Sequence, residues 1–222
     1  MRRIMIGAMT LLVVGTGIGA RAQVSDQRSD RIRASADVLT AVRGEPDKDI
    51  PRDLWEKAQC VIVIPGLKKA AFGFGAEYGK GMMSCRTDGE FGAPVFMELE
   101  KGSWGFQIGG ESIDLVLLVM NPSGMHKMLS DKTTLGADAS VAAGPVGRNA
   151  AASTDAKMSA EVLSYSRAQG LFAGIDVSGG VLRPDVDANH DLYGHDVSAR
   201  AVLSDGRKAP ESTRPFMSAL RR

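Results

Sequence analysis

Phe72-Gly-Phe-Gly75 alternates a bulky apolar residue with glycine, and Trp104-Gly-Phe-Gln-Ile-Gly109 repeats this pattern further along the chain. Alternation with a period of two is typical of a β-strand, because successive side chains point to opposite faces of the sheet. One face of such a strand is bulky and the other is almost bare. A helix, a second sheet or an elongated ligand can therefore approach the bare face closely.

Strand-like runs surround these two stretches. Cys60-Val-Ile-Val-Ile64 is apolar throughout and predicts a strand that ends at Pro65-Gly66, and residues 113–120 are apolar on both faces, as in a central strand covered on both sides. Further strands are predicted at 71–78 and 81–86. Because no long helical pattern separates the strands, the spacing favours an antiparallel meander or a barrel-like sheet over parallel β-α-β units.

Helical patterns occur at the two ends of the chain. Apolar residues recur at helical spacing between 26 and 43, a second short helix is predicted to begin near Pro51, and a last one covers 216–220. No repeat of fixed period and no low-complexity linker divides the chain. We therefore predict an α+β fold in a single domain, with a mainly antiparallel sheet flanked by an N-terminal helix and short C-terminal helices.

The N-terminus has the layout of an export signal. Arg2 and Arg3 precede an apolar stretch over 4–18, and Ala20-Arg-Ala22 fits an A-x-A cleavage site. The stretch is shorter than the about 20 residues that a membrane-spanning helix needs, and an uncleaved anchor is the alternative. Cleavage would remove residues 1–22 and leave a domain over 23–222. We expect that domain in the periplasm or at a membrane of the cell envelope.

The charge balance argues against nucleic acid as a partner. The chain has 27 Lys and Arg residues against 26 Asp and Glu residues, a formal net charge of +1. Removal of the three arginines Arg2, Arg3 and Arg21 with the signal would leave −2. A domain without excess positive charge lacks the electrostatic footprint of a nucleic-acid-binding protein.

Cys60 and Cys85 are the two cysteines of the chain, and both lie in predicted strands. In an oxidising compartment they can form a disulfide that closes a loop of about 25 residues and restricts the unfolded chain. Two buried free thiols are the alternative, and we favour the disulfide. Neither cysteine belongs to a C-x-x-C or H-x-x-x-H spacing, so no metal site is predicted from them.

Catalytic and cofactor-binding motifs are not recognisable in the sequence. Gly73-x-Gly75 alternates within a strand pattern and does not open a helix, as a nucleotide-binding loop would. Gly110-Glu-Ser-Ile-Asp114 stops short of the G-x-S-x-G motif of serine hydrolases. The three histidines, His126, His190 and His195, lie in polar surroundings. We therefore predict a protein that is not an enzyme and has no cofactor.

Residues 185–196 resemble a calcium-binding loop, with acidic or amide side chains at several ligand positions. The glycine required at the sixth position is His190, and the closing bidentate glutamate is Asp196. A helical turn with Val186 directed inward and its acidic residues in solvent is the favoured interpretation.

Several cations are predicted near strand ends, where they could bind lipid phosphates, to which arginine can make bidentate contacts. A scattered, solvated set of charges is the alternative. Asp114 stands within an apolar run and needs a donor if it is buried. We expect that donor to be one of these cations or a backbone N–H near Gly109 and Gly110.

Long stretches of the chain resemble a SYLF domain. They are Cys60-Val-Ile-Val-Ile-Pro-Gly-Leu-Lys-Lys-Ala-Ala-Phe-Gly-Phe-Gly75, Gly102-Ser-Trp-Gly-Phe-Gln-Ile-Gly-Gly-Glu-Ser-Ile-Asp-Leu-Val116, Leu135-Gly-Ala-Asp-Ala-Ser-Val-Ala-Ala-Gly-Pro-Val-Gly-Arg148, Tyr165-Ser-Arg-Ala-Gln-Gly-Leu-Phe-Ala-Gly174 and Leu192-Tyr-Gly194. The resemblance covers approximately residues 45–195. It implies binding of membrane phospholipid by the domain itself, and it transfers no catalytic residues.

The resemblance also bears on partners. Eukaryotic SYLF proteins bind phosphoinositides, some bind actin, and they usually carry an added SH3 or FYVE domain. An exported protein would meet neither actin nor phosphoinositides routinely, so we expect anionic phospholipid, and not actin, as the partner. A protein partner in the envelope is the alternative. We assign head-group contact to the cations at family-like positions: Lys68, Lys69, Lys132 and Arg148.

Overall fold

The structure is a computed structural model and describes residues 19–42, 50–72, 74–104, 109–146, 159–168 and 171–221. Its helices are α1 (Gly19–Val42), α2 (Arg52–Lys57), α3 (Pro122–Met128), α4 (Val186–Tyr193), α5 (Ala199–Ser204) and α6 (Arg214–Arg221), with a 3₁₀ turn at Glu211–Thr213. Its strands are β1 (Cys60–Phe72), β2 (Phe74–Thr87), β3 (Glu90–Phe91), β4 (Val95–Trp104), β5 (Gly109–Val119), β6 (Thr133–Thr134), β7 (Val141–Ala143), β8 (Val162–Ala168), β9 (Leu171–Gly174) and β10 (Val181–Pro184).

The strands form one curled, half-barrel sheet in the order β6-β10-β4-β2-β1-β5-β8-β7, with β3 beside β2 and β9 beside β8. All pairs are antiparallel except β7 with β8, which run parallel. The predicted α+β single domain, with its mainly antiparallel sheet, N-terminal helix and short C-terminal helices, is confirmed. The expected signal lies mostly in residues 1–18, outside the described residues, and cleavage after Ala22 stays a prediction.

Each face of the sheet buries a separate apolar cluster. On one face, α1, α2 and α6 pack against β1, β2, β4, β5 and β8, and Leu39, Leu54 and Phe216 are buried there. On the other face, Leu115 and Leu117 of β5 pack with Leu203 of α5. Burial on both faces is the reason why the central strands are apolar throughout. Each large apolar side chain that is fully buried in this way contributes about 1.5–3 kcal/mol.

The first strand continues beyond the point where the sequence predicts its end. Pro65 and Gly66 form a bulge, and the pairing of β1 shifts register there with both β2 and β5 before it resumes at Leu67 and Lys68. Gly66 adopts a φ of +57°, a conformation that other residues avoid. A bulge absorbs the proline without ending the strand, because the local ladder is already interrupted. The predicted end at Pro65-Gly66 was therefore wrong.

Two other predicted boundaries also differ. The segments 71–78 and 81–86 were predicted as two strands, whereas Phe74–Thr87 is one strand. Residues 185–196 contain helix α4, as favoured over a calcium loop, but two details of that prediction were wrong. Val186 is 54% exposed rather than directed inward, and Asp185 is buried rather than in solvent. Asp185 accepts a hydrogen bond from the N–H of Ala188 and so caps the helix.

Cys60 and Cys85 lie directly opposite each other on β1 and β2, at disulfide-bonding distance, with an S–S separation of 2.09 Å. Both residues are buried. The pair joins the far ends of two consecutive strands, at positions 25 residues apart along the chain. This is the pairing that the sequence favoured.

Glu161 connects the start of β8 to two neighbouring segments. Its carboxylate accepts hydrogen bonds from the Lys127 Nζ at 2.7 Å, the Ser123 hydroxyl at 2.5 Å and the backbone N–H of Ser140 at 2.9 Å. These contacts lower the pKa of the Glu161 carboxyl from its ordinary value of 4.5 to about 2. The Lys127 ammonium is the largest cause, followed by the Ser123 hydroxyl.

We expect low pH to reduce the free energy of unfolding through protonation of Glu161. A carboxyl whose pKa is depressed in the folded state stabilises the protein above its unfolded pKa, and this contribution is lost as the pH falls from about 4.5 towards 2. Between pH 7 and pH 3 the loss from this group reaches up to about 2 kcal/mol in the free energy of unfolding. Urea titrations at both pH values measure it. In Glu161→Gln the loss between the two pH values should be smaller by that amount, and an equal loss in both proteins would contradict the assignment.

Candidate functional site

The four longest strands, β1, β2, β4 and β5, continue past the apolar clusters and carry exposed residues there. We call the segments 68–72, 74–78, 100–104 and 109–112 the outer sheet. Its strands pair in continuous register, Lys68 with Tyr78 and Ser112 among them. Small residues occupy much of it, and the exposed ones include Ala76, Gly102 and Gly110. The outer sheet adjoins the two alternating stretches 72–75 and 104–109, much of which lies outside the described residues, so the bare face expected of them stays a prediction.

A row of charged side chains separates the outer sheet from the core on the face that α1 covers. The row consists of two ion-paired groups. In the first, Arg183 Nε lies 2.6 Å from Glu98, and Lys80 Nζ lies 3.5 Å from the same carboxylate. On the other side of the β1 bulge, Arg167 lies 3.5 Å from Asp114. We call these five residues the charged row.

Asp114 obtains its donors from places that the sequence did not suggest. Its Oδ1 accepts a hydrogen bond from the backbone N–H of Gly66 at 3.0 Å, and its Oδ2 pairs with Arg167. The backbone N–H groups near Gly109 and Gly110 were the expected backbone donors, and the cations near strand ends were the expected charged partners. The bulge explains the difference, because it turns the N–H of Gly66 out of the β1 ladder and towards Asp114.

Asp185 joins the charged row to α1. Its Oδ2 lies 2.7 Å from Arg31 Nη1 of α1 and 2.9 Å from Lys80 Nζ of β2. Burial opposes ionisation of this carboxyl, but hydrogen bonds from Lys80 and Arg31 outweigh burial and hold its pKa below the ordinary value. The Arg31 guanidinium also lies 5.0 Å from the centre of the Phe96 ring. α1 is therefore attached to the sheet by charge as well as by apolar packing.

A groove of about 510 Å³ lies between α1 and the charged row, lined by Arg31 and Asp37 of α1 and by Lys80, Asp114 and Arg167 of the sheet. Its cations already have carboxylate partners: Arg31 and Lys80 pair with Asp185, and Arg167 pairs with Asp114. An anionic ligand in the groove would have to compete with these carboxylates. The groove is therefore a weaker candidate for head-group binding than the outer sheet.

The four predicted head-group cations do not form one cluster. Lys68 and Lys69 are adjacent on β1 and consequently point to opposite faces. Lys132 is exposed beside β6, and three strands separate β6 from β1. Arg148 lies outside the described residues.

Lys68 and Lys69 have different surroundings. Lys68 is exposed opposite Tyr78, which is 42% exposed, and both share the face of Lys80 and α1, because Tyr78 is two residues from Lys80. The Tyr78 hydroxyl donates to Glu98 at 3.4 Å. Lys69 instead lies between Glu77 of β2 and Glu111 of β5 on the opposite face. Lys68 is therefore the candidate for contact with an external anion, because it is exposed beside an exposed aromatic ring.

Within the described residues, no group of three or more His, Cys, Asp or Glu side chains is arranged to hold a metal ion. Among the described helices, none combines the length and the apolar character needed to cross a membrane.

Comparison with known proteins identifies the family. Residues 100–222, more than half of the chain, match the family described as "Ysc84: Las17-binding protein actin regulator". The chain is 35% identical over 179 residues to LAS seventeen-binding protein 3 of Saccharomyces cerevisiae, covering 78% of this chain and 39% of the yeast protein. It is 32% identical over 163 residues to SH3 domain-containing YSC84-like protein 1 of Homo sapiens, covering 72% and 47%. The chain thus spans less than half the length of these curated relatives, and it belongs to the Ysc84 family, the family of the SYLF domain.

Proposed function

We propose that the protein binds anionic membrane phospholipid through the α1-side face of its outer sheet, in the cell envelope after export. The observation that carries the proposal is the exposed pair of Lys68 and Tyr78 on neighbouring strands. An ammonium group beside a half-exposed aromatic ring suits a membrane interface, because the ring contacts the acyl boundary while the ammonium contacts phosphate. The resemblance of the sequence to SYLF domains supports the same class of ligand.

The surrounding backbone favours close approach. Gly102 of β4 has no atom within 4 Å of the position that a Cβ would occupy, and at Gly110 of β5 the nearest atom is the Lys69 carbonyl oxygen at 3.9 Å. A surface of small side chains lets a flat ligand or a membrane surface reach the strands. Lys68 then supplies the charge and Tyr78 the apolar contact.

We expect Lys68→Glu to weaken binding to vesicles that contain an anionic phospholipid by about tenfold or more, because each basic residue near an anionic surface contributes about 1 kcal/mol and reversal adds repulsion. Lys69→Glu should weaken binding less, since Glu77 and Glu111 flank Lys69 on the opposite face. Flotation with vesicles of phosphatidylglycerol and phosphatidylcholine, at several salt concentrations, measures both effects. The salt dependence should become shallower in Lys68→Glu.

Lys208→Glu is the matched control. Lys208 is an exposed lysine, and the nearby Gly206 lies against Thr87 at the other end of β2 from Tyr78. The nine strand positions from Tyr78 to Thr87 span about 30 Å, so Lys208 lies far from the proposed binding surface. This variant should bind vesicles like the wild type. If the wild-type protein stays in the soluble fraction at low salt, or if Lys208→Glu is as defective as Lys68→Glu, the proposed surface is wrong.

Binding of a protein partner in the envelope is the second candidate. The names of the relatives favour it, because one is named for binding Las17 and another for its SH3 domain. A photo-reactive amino acid in place of Tyr78 distinguishes the two functions. Cross-links to phospholipid in intact envelopes support the first, and a discrete protein adduct, lost in Lys68→Glu, supports the second.

A further inference from the structure

His190 and His195 face each other at the end of α4. The turn between them is built by Gly194, which has a φ of +93° and donates its N–H to the His190 carbonyl oxygen at 2.8 Å. Its own carbonyl oxygen accepts from the N–H of Val197 at 3.4 Å. The chain folds back as a result, and the two imidazole rings meet with their centres 4.8 Å apart at an interplanar angle of 61°.

The nitrogen atoms that approach each other are the Nδ1 atoms of both rings, 3.1 Å apart. When no other group lies between them, one Nδ1 must carry the proton that the other accepts. The same spacing fits a shared metal ion. Two imidazole nitrogens bound to Zn²⁺ at about 2.0–2.1 Å each lie about 3 Å apart when the angle at the metal is between octahedral and tetrahedral values.

We propose that His190 and His195 form a surface site for a divalent transition-metal ion, with Zn²⁺, Cu²⁺ and Ni²⁺ as the ions whose ligand preference it meets. Imidazole is a ligand that these ions favour. His195 is exposed and His190 is half-buried, so that an ion can reach both rings. The ring that carries its proton on Nδ1 transfers it through water to its own Nε2, so that both Nδ1 lone pairs bind the ion, and water completes the coordination.

Among the described residues no group of three or more His, Cys, Asp or Glu side chains could hold a metal, so no carboxylate of this segment adds a third ligand. Asp185 is held by Arg31 and Lys80, and Asp191 forms an ion pair with Arg28 of α1. Helix α4 also separates the acidic residues that a calcium loop would need to bring together. Calcium prefers six to eight oxygen ligands, whereas this segment offers two convergent nitrogens. The segment that resembles a calcium loop in sequence therefore offers a nitrogen site for a transition-metal ion, not an oxygen site for calcium.

Zn²⁺ titrated into the untagged, metal-free protein tests the proposal. We expect one equivalent to bind and to shift the imidazole NMR signals of His190 and His195, while the signals of His126, the third histidine of the chain, remain unchanged. The variants His190→Ala and His195→Ala should each bind Zn²⁺ at least tenfold more weakly. His126→Ala, which removes an exposed histidine from α3, should bind Zn²⁺ like the wild type.

Three results would overturn the site. The first is the absence of any Zn²⁺-dependent shift up to about 1 mM, the weak end of specific affinities. The second is a loss of binding in His126→Ala equal to that in the two site variants. The third is a response of the same two histidines to Ca²⁺ as strong as to Zn²⁺, because an imidazole pair does not favour calcium. Circular dichroism of each variant separates lost binding from lost folding.

Discussion

Replacement of Gly81 by alanine is expected to lower the free energy of unfolding by at least about 3 kcal/mol, a large part of the about 5–15 kcal/mol that a folded domain ordinarily has. A Cβ at this position would lie 1.8 Å from the carbonyl oxygen of Val63 and 2.8 Å from the Cα of Ile64. Both atoms belong to the backbone of β1, which cannot rotate away as a side chain could. The two strands would have to separate in the middle of the sheet. Soluble yield and urea denaturation of Gly81→Ala measure the effect.

Gly102→Ala is the matched control, since it also places alanine at a strand glycine. No atom lies within 4 Å of the Cβ position, so we expect no loss of stability and a gain of up to about 1 kcal/mol from the reduced freedom of the unfolded chain. Wild-type stability in Gly81→Ala would show that β1 does not approach β2 as closely as the structure has it. A loss in Gly102→Ala would show that the outer sheet is covered.

The contrast between these positions sharpens the meaning of the glycine pattern. Gly79 and Gly81 face β1 itself, because the bulge brings Ile64 and Leu67 against them. Gly102 and Gly110 face open space. In the sequence, both kinds appear as glycines between larger residues, and nothing local distinguishes them. The bulge determines which glycines are covered by the neighbouring strand. It was not predicted, because Pro65-Gly66 is also a common end of a strand.

Features that depend on local pattern were predictable. The apolar run Cys60-Val-Ile-Val-Ile64 forms part of a strand buried on both faces. Cys60 and Cys85 lie at disulfide-bonding distance, as the sequence favoured. The spacing of Ile32, Ala36 and Leu39 predicts one buried face of α1, and all three are buried. In each case the periodicity or the residue types of one short segment are enough to predict the feature.

The charged contacts of α1 were not predictable in the same way. Arg31 and Asp185 are 154 positions apart, and Lys80 and Asp185 are 105 positions apart. An aspartate such as Asp185, followed by a short helical pattern, indicates an N-cap but does not show which cations pair with its carboxylate. Only the curling of the sheet brings α1, β2 and the start of α4 together. The bare sheet face, by contrast, was predicted from a local pattern, the alternation of glycine with bulky residues in 72–75 and 104–109.

We expect Asp185→Ala to lower the free energy of unfolding by about 3 kcal/mol. The substitution leaves Arg31 and Lys80 without their shared carboxylate in a partly buried place, and breaking a buried ion pair on one side is strongly destabilising. It also removes the cap of α4, which contributes about 1 kcal/mol. Urea denaturation at pH 7 measures the total. Asp187→Ala, an exposed acidic residue in the first turn of the same helix, should change stability far less.

A double-mutant cycle separates the ionic part of this loss from the cap. In the background Arg31→Met with Lys80→Met, both cations are gone, so that Asp185→Ala should lose little beyond the cap. The background itself should be destabilised, because the buried carboxylate is then unpaired. Equal effects of Asp185→Ala in the wild type and in this background would mean that the carboxylate acts only on α4. A smaller effect in the background means that the shared carboxylate of Asp185 holds α1 against the sheet through Arg31 and Lys80.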